Sequence, residues 1–244
     1  MSERITLNDL DKQMQEAVAD TRQRVAELHA ELPRWGLVVW TAGNVSERVV
    51  VDRGDGPVKT DLFVIKPSGV SYDELTADTM VVCTLDGEKI DDGTPASLTP
   101  SSDTAAHAYV YRHRGDVGGV VHTHSPYATA WAARREPIPC ALTMMGDEFG
   151  GDIPIGPFAL IGDDSIGRGI VETLEGSRSP AVLMANHGPF TVGKDARDAV
   201  KAAVMCEEVA RTMSIAEQLG EVKPIPADMV DRLNDRYQHV YGQH

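Results

Sequence analysis

The stretch GGVVHTHS, residues 118–125, is the most informative part of the sequence. Its apolar run predicts a buried strand, and because side chains alternate along a strand, His122 and His124 leave the same face. Two imidazoles aimed at one point suit zinc and related divalent ions, which take a third and usually a fourth ligand from elsewhere in the chain. The alternative is a pair of histidines that form only local hydrogen bonds.

A third histidine stands at a comparable junction. Residues 181–185 are an apolar run that predicts another buried strand, and it ends in the turn NHG at residues 186–188. A lone histidine at a strand end is usually a packing residue. Given the pair His122 and His124, we instead predict that His187 is the third metal ligand.

Three short loops rich in Gly, Ser and Asn follow predicted strands or open a helix. GNVS at 43–46 follows a predicted strand at 36–40, and KPSG at 66–69 follows a predicted strand at 62–65. SSDT at 101–104 opens a predicted helix. Backbone N–H groups in such turns and at helix N-termini bind anions, so we predict that the loops converge on one phosphate. An ordinary bend and a helix cap are the alternatives.

Asp103 lies in the third loop, and its carboxylate is a candidate for the fourth metal ligand or for a general base. His107 follows one helical turn later on the same face. We predict that His107 packs against or supports the site and does not bind the metal.

The remaining pattern of strands and helices predicts a single α/β domain over residues 1–244. An amphipathic helix is expected to begin at Asn8 or Asp9 and to end at Pro33. Residues 49–56 predict a hairpin-like connection. Further elements are expected as a strand at 80–85 and as helices at 127–133, 163–174, 195–219 and 228–237.

Asp147 and Glu148 lie in the stretch TMMGDEFGG, residues 143–151. Acidic residues among glycines are typical of a surface loop, which is the structure expected for this stretch.

The bulk composition excludes several classes of function. Lys and Arg number 23 against 37 Asp and Glu, which gives a net charge of −14 and disfavours nucleic acid as a partner. No apolar run approaches the roughly 20 residues of a membrane span, and no signal-peptide pattern occurs, so we expect a soluble cytoplasmic protein. Cys83, Cys140 and Cys206 are widely spaced, which fits a reducing compartment and predicts core residues.

Taken together, the motifs resemble those of the class II aldolase/epimerase family. The resemblance rests on GNVS, KPSG, SSDT and HTHS, on NHGPF at 186–190 and on YGQ at 241–243, which span almost the whole chain in order. It implies a three-layer α/β/α domain with a central, largely antiparallel sheet. It also implies a cyclic homotetramer with active sites between subunits.

The same resemblance implies roles for individual residues. His122, His124 and His187 would bind zinc, or manganese as an alternative, with Asp103 as a fourth ligand or acid/base group. The substrate phosphate would be held by residues of the three loops, namely Gly43, Asn44, Ser68, Gly69, Ser101 and Ser102. Lys66 is added from its charge, since a lysine beside a Gly/Ser loop is expected to attract the anion.

Two further residues would handle protons. The resemblance assigns this role to Asp147 and Tyr241 and brings both from the neighbouring subunit. One departure from the family pattern is Asn234, which stands where several epimerases have a histidine.

The implied activity is metal-dependent inversion of a phosphorylated ketose at C4, which interconverts L-ribulose 5-phosphate and D-xylulose 5-phosphate. The hydrogen on C4 is not acidic, so inversion is expected to break and re-form the C3–C4 bond. A metal ion would stabilise the charge that develops during cleavage, and two acid/base groups on opposite faces would allow inversion.

Other activities fit the same motifs. An aldolase would release the aldehyde, but sugar-phosphate aldolases resembling this chain typically have glutamate at the position of Asp103, which favours the epimerase. Dehydratases or decarboxylases of other phosphorylated sugars are further alternatives. The three histidines argue against a non-catalytic, adducin-like scaffold, and the absence of HExxH argues against a zinc hydrolase.

Overall fold

A seven-stranded sheet forms the centre of the protein in a computed structural model, which describes residues 5–240. Its strands are β1 (Asn44–Asp52), β2 (Pro57–Ile65), β3 (Val81–Thr84), β4 (Gly119–His122), β5 (Ile155–Gly156), β6 (Ala181–Met184) and β7 (Gly188–Gly193). They lie in the order β3-β2-β1-β4-β7-β6-β5. Only the β5–β6 pair is parallel, so the predicted, largely antiparallel sheet is confirmed.

Helices cover both faces of this sheet. They are α1 (Lys12–Arg34), α2 (Thr104–His113), α3 (Pro126–Arg134), α4 (Thr143–Phe149), α5 (Ser165–Leu174), α6 (Ala196–Leu219) and α7 (Ala227–His239). Successive residues of a strand point to opposite faces of the sheet and therefore pack against different helices. Val120 packs in the cluster that includes α2 and α5, whereas its neighbour Val121 packs in the cluster that includes α1 and α6. The result is the predicted three-layer α/β/α architecture.

The start of α6 lies directly against the histidine-bearing strand β4. A Cβ at Gly119 would come within 2.3 Å of backbone atoms of Asp195 and Ala196, so only glycine permits this approach. The buried carboxylate of Glu47 accepts a hydrogen bond from the Ala196 N–H at 3.1 Å. Both contacts fix α6 beside β4 and thereby brace the strand that carries His122.

The expected strand at residues 36–40 does not form. Leu37 and Val38 are buried, but Val39 and Trp40 are exposed, and Trp40 has a φ of 59°. The pairing of β1 with β4 begins only at Asn44, opposite His122. The buried residues of this apolar run instead pack in the cluster that includes residues of α1 and α6.

Two other local expectations were wrong. The helix α1 is capped by Asp11, whose side chain accepts from the Met14 N–H, and not by Asn8 or Asp9. Residues 143–149 form the helix α4, not a surface loop, and Glu148 is buried. The expected helices at 127–133, 163–174, 195–219 and 228–237 are confirmed within a few residues at their ends.

The three cysteines are buried and free, which confirms their prediction as core residues. Among residues 5–240, no helix combines the length and the apolar composition needed to cross a bilayer.

Candidate functional site

The three predicted histidines converge at one end of the central strands. His122 is the last residue of β4, His124 follows two residues later, and His187 lies in the turn between β6 and β7. One ligand nitrogen from each lies within 4.8 Å of the others. The Nε2 atoms of His122 and His124 are 3.0 Å apart. This is the donor set and spacing of a three-histidine metal site.

Neighbouring groups orient the His122 ring for this role. Its Nδ1 donates to the Pro189 carbonyl at 3.0 Å, which leaves Nε2 as the nitrogen with a free lone pair. Phe190 lies opposite His122 in the β4–β7 pairing and stacks on its ring. The two ring centroids are 4.1 Å apart, and the angle between the ring planes is 14°. The ring is therefore held on both an edge and a face.

The three imidazoles are held in the neutral form that binds metal ions. Burial is the main reason that the pKa of each one is lowered, and for His122 it falls well below its usual range because His187 and His124 add to the effect. The carboxylate of Asp103 opposes the shift of the pKa of His124 and His187. Neutral imidazoles do not have to lose a proton before they coordinate an ion.

Asp103 is buried at the start of α2, beside the histidines. Its Oδ2 accepts from Asn44 Nδ2 at 2.8 Å, while its buried Oδ1 has no hydrogen-bond partner among the described residues. A buried carboxylate oxygen without a donor is costly unless another group compensates it. The group of donor atoms within 4.8 Å of one another comprises the three imidazoles and does not include Asp103. The Asp103 carboxylate is nevertheless close enough to oppose the lowering of the pKa of His124 and His187, so it lies beside this group.

A cavity of about 190 Å³ opens next to Asp103 and His124. Seven of its lining residues are those expected at a phosphate site: Gly43, Asn44, Lys66, Ser68, Gly69, Ser101 and Ser102. Backbone hydrogen bonds join two of the loops, from Ser101 N–H to the Lys66 carbonyl at 3.0 Å and from Ser68 N–H to the Thr99 carbonyl at 2.8 Å. The three loops therefore meet at one cavity beside the histidines.

Lys66 supplies the positive charge in the wall of this cavity. Its side chain is 2% exposed, and its Nζ donates to the carbonyls of Thr41 and Pro67, both at 3.2 Å. The ion pairs found in residues 5–240 include none with Lys66. Burial lowers its pKa to about 8. An ammonium group that no carboxylate neutralises attracts an anion into the cavity.

The loop before β1 and the first residues of that strand are fixed by side chains that the sequence did not identify. His29 Nε2 accepts from the Val45 N–H at 3.0 Å, and its Nδ1 donates to the Val25 carbonyl at 2.6 Å. The Tyr72 hydroxyl donates to the Ala42 carbonyl at 2.8 Å. The position of His29 one turn after Val25, on the apolar face of α1, was the available signal for a buried role.

Ile161 is a further residue that the sequence did not identify, and it lines the same cavity. No local motif marks it, since its position depends on how the connection after β5 folds over the loops. His107, in contrast, lies where the sequence placed it: it is fully buried, and its Nδ1 hydrogen-bonds Ser46 Oγ at 2.7 Å.

Of the two expected proton-handling residues, only Asp147 lies among the described residues, and it is not brought to this cavity. Asp147 lies on α4, half-buried, and is absent from both the cavity wall and the histidine cluster. Tyr241 lies outside the described residues. Asn234, the departure from the family pattern, donates from Nδ2 to the backbone carbonyl of Asp147 at 3.0 Å.

Comparisons with known proteins agree with this architecture. Residues 23–214 match the family model described as "Class II Aldolase and Adducin N-terminal domain". A curated relative from Salmonella paratyphi C (strain RKS4594), named L-ribulose-5-phosphate 4-epimerase UlaF, is 44% identical over 212 residues, which cover 82% of this chain and 86% of the relative. A relative of the same name from Salmonella choleraesuis (strain SC-B67) matches to the same extent.

Solved structures are similar over most of their length. One, named L-fuculose 1-phosphate aldolase, has a TM-score of 0.78 and 26% identity, covering 90% of this chain and 96% of its own. An L-fuculose-1-phosphate aldolase from Thermus thermophilus has a TM-score of 0.64 and covers 84% of this chain and 97% of its own. At 23% identity, the second likeness indicates the shared fold alone.

Proposed function

The chain belongs to the class II aldolase and adducin family, and within it we propose that the protein is a metal-dependent L-ribulose-5-phosphate 4-epimerase. The observation that carries the proposal is the placement of three convergent imidazoles beside a polar cavity containing Lys66. Curated relatives named for this activity support the choice of reaction. The substrate is then a five-carbon ketose phosphate, interconverted between L-ribulose 5-phosphate and D-xylulose 5-phosphate.

His122, His124 and His187 hold the metal ion in this proposal, with Asp103 as a fourth ligand or as an acid/base group. The neutral imidazoles, the orientation of the His122 ring and the unpartnered oxygen of Asp103 all fit a divalent cation. Zn²⁺ suits such a nitrogen-rich set, and Mn²⁺ is the alternative. When bound, the ion supplies Lewis-acid chemistry that stabilises the negative charge developing on the ketose during C3–C4 cleavage.

The loops around the cavity bind the phosphate. Lys66 attracts the dianion, while Ser68, Ser101 and Ser102 with the backbone of Gly43 and Gly69 surround it, and Asn44 lies between this group and Asp103. Anchoring the phosphate keeps the cleaved aldehyde fragment in the site long enough for its carbonyl to turn. Retention of that fragment distinguishes epimerisation from simple cleavage.

Asp147 and Tyr241 move the protons in this proposal. One removes the proton of the C4 hydroxyl as the bond breaks, and the other protonates the new C4 oxygen on the opposite face as the bond re-forms. Because Asp147 does not line the cavity of its own chain, we propose that it comes from a neighbouring subunit, together with Tyr241. This arrangement requires an oligomer, which we propose is a homotetramer. We also propose that the protein works in the cytoplasm on a sugar phosphate.

An aldolase is the second candidate, favoured by the similarity to a structure named L-fuculose 1-phosphate aldolase. The two reactions share the cleavage step and differ in whether the aldehyde leaves. The discriminating experiment incubates the purified protein separately with L-ribulose 5-phosphate and L-fuculose 1-phosphate and measures free aldehyde by its enzymatic reduction. The epimerase predicts no aldehyde from either sugar, and stoichiometric aldehyde release from one of them would identify an aldolase.

A further inference from the structure

Glu148 is a buried carboxylate outside the cavity, and the proposed mechanism does not use it. It lies on α4 with a side chain that is 5% exposed. Its Oε2 lies 3.2 Å from Nζ of Lys201 on α6. The hydroxyl of Tyr237 on α7 hydrogen-bonds the same carboxylate, which contributes to raising the pKa of Tyr237. The buried Glu148 carboxylate on α4 thus contacts one side chain from α6 and one from α7.

A second contact ties the same short helix to α7. Asn234 Nδ2 donates to the Asp147 carbonyl, one of the carbonyls at the C-terminal end of α4 that have no partner within the helix. Between these contacts the helices touch closely, since a Cβ on Gly146 would lie 2.7 Å from Cδ1 of Leu233. A helix of seven residues is too short to be stable alone, so these contacts determine its orientation.

The orientation of α4 determines where Asp147 points. Neighbouring side chains on a helix are separated by about 100° around its axis. Because Glu148 is directed inward to Lys201 and Tyr237, Asp147 is directed to the half-buried edge of the helix. Loss of the inward anchor would let the helix rotate and would move the Asp147 carboxylate.

We propose that Glu148 is a positioning residue, whose ion pair with Lys201 fixes the rotation of α4 and so aims the carboxylate of Asp147. The inference rests on the proposed function, in which Asp147 handles a proton. Asn234 has a matching role at the backbone of the same residue. The sequence position at which several family members have histidine is thus used here to cap α4.

The test removes the ion pair from either side. Glu148→Gln keeps the shape of the side chain and removes its charge, and Lys201→Gln breaks the same pair from a half-exposed partner, so one variant remains informative if the other folds poorly. Glu208→Gln, at an exposed position of α6, is the control. Both pair-breaking variants are expected to lower kcat about ten- to a hundredfold, the scale of a misplacement of about 1 Å, with KM and metal content unchanged.

A double variant separates positioning from general damage. In an Asp147→Asn background, adding Glu148→Gln is expected to cause no further loss of kcat, because the group that Glu148 positions is already gone. The same fold-loss in both backgrounds would overturn the inference while leaving the proposed function intact. Wild-type kcat in Asp147→Asn alone would refute the proposed role of Asp147, and with it the inference.

Discussion

Gly43 is the position where one added methyl group most directly probes the packing of the site. Its φ is +79°, and a Cβ built there lies 2.6 Å from Val38 Cγ1, 2.9 Å from the His122 carbonyl oxygen and 3.4 Å from the Tyr72 hydroxyl. Gly69, on the opposite loop of the same cavity, has a similar φ of +70° but no heavy atom within 4 Å of its built Cβ. Both glycines therefore have a left-handed backbone, but only Gly43 has neighbouring atoms that a side chain would clash with.

The difference in stability between the two alanine variants measures the steric clash at Gly43 alone, because the cost of the left-handed backbone is common to both. The left-handed backbone costs either alanine variant about 1 to 2 kcal/mol. Overpacking adds about 1 to 3 kcal/mol to Gly43→Ala only, since the His122 carbonyl belongs to the central strand β4 and cannot move freely. The free energy of unfolding of Gly43→Ala should therefore lie about 1 to 3 kcal/mol below that of Gly69→Ala.

Urea denaturation of both variants measures this difference, and titration with Zn²⁺ measures its effect on the metal site. Gly43→Ala is expected to weaken metal binding because relief of the clash displaces the end of β4, whereas Gly69→Ala should bind the ion as the wild type does. Equal unfolding free energies and equal metal affinities would refute the close packing of this loop on His122.

Three further predictions concern the metal, the phosphate and proton transfer. His187→Asn should lower bound metal and turnover together, while His113→Asn, at an exposed histidine of α2, should change neither; elemental analysis and kinetics of the purified variants check this. Because burial lowers the pKa of Lys66 from its ordinary 10.5 to about 8, its charge is present below that pH and lost above it, so kcat/KM should fall as the pH rises through about 8. Lys66→Met should lack that limb of the pH profile, and an unchanged profile would remove the lysine from phosphate binding. Tyr241→Phe should reduce turnover sharply with metal content preserved, and normal turnover would exclude its hydroxyl from the reaction.

The sequence predicted the elements whose signals are local and repeated. The alternation of Val120 and Val121 between two faces is a property of the strand itself. The pair His122 and His124 belongs to the same short stretch, although only His122 lies within β4 and His124 comes two residues after its end. The hairpin-like connection expected at 49–56 is present, but only residues 53–56 form its turn, because residues 49–52 form the end of β1. These predictions succeeded because the chain needs no distant partner to favour them.

The strand expected at 36–40 and the surface loop expected at 143–151 were wrong because distant contacts decide the structure there. Leu37 and Val38 have the composition of a strand, yet they pack against α1 and α6 without a strand partner. Glu148 looked like a surface residue because its partner Lys201 is 53 positions away in sequence. A short helix that depends on such an ion pair has no local signal strong enough to reveal it.

In the candidate site too, local sequence signals were readable and distant contacts were not. Its three histidines and three loops were predicted as separate groups, and their meeting beside Asp103 follows from the strand order β2-β1-β4-β7-β6. Ile161 and His29 were not identified because their proximity to the site depends on tertiary packing.

NMR of L-ribulose 5-phosphate incubated with the metal-loaded protein is the decisive measurement of metal-dependent epimerase activity. We expect D-xylulose 5-phosphate to appear without free aldehyde, its formation to stop after chelation, and its formation to resume when Zn²⁺ or Mn²⁺ is restored. Undiminished conversion by protein verified to be free of metal would contradict metal-dependent epimerisation. Accumulation of dihydroxyacetone and glycolaldehyde phosphate would contradict it as well and would assign the protein to the aldolases.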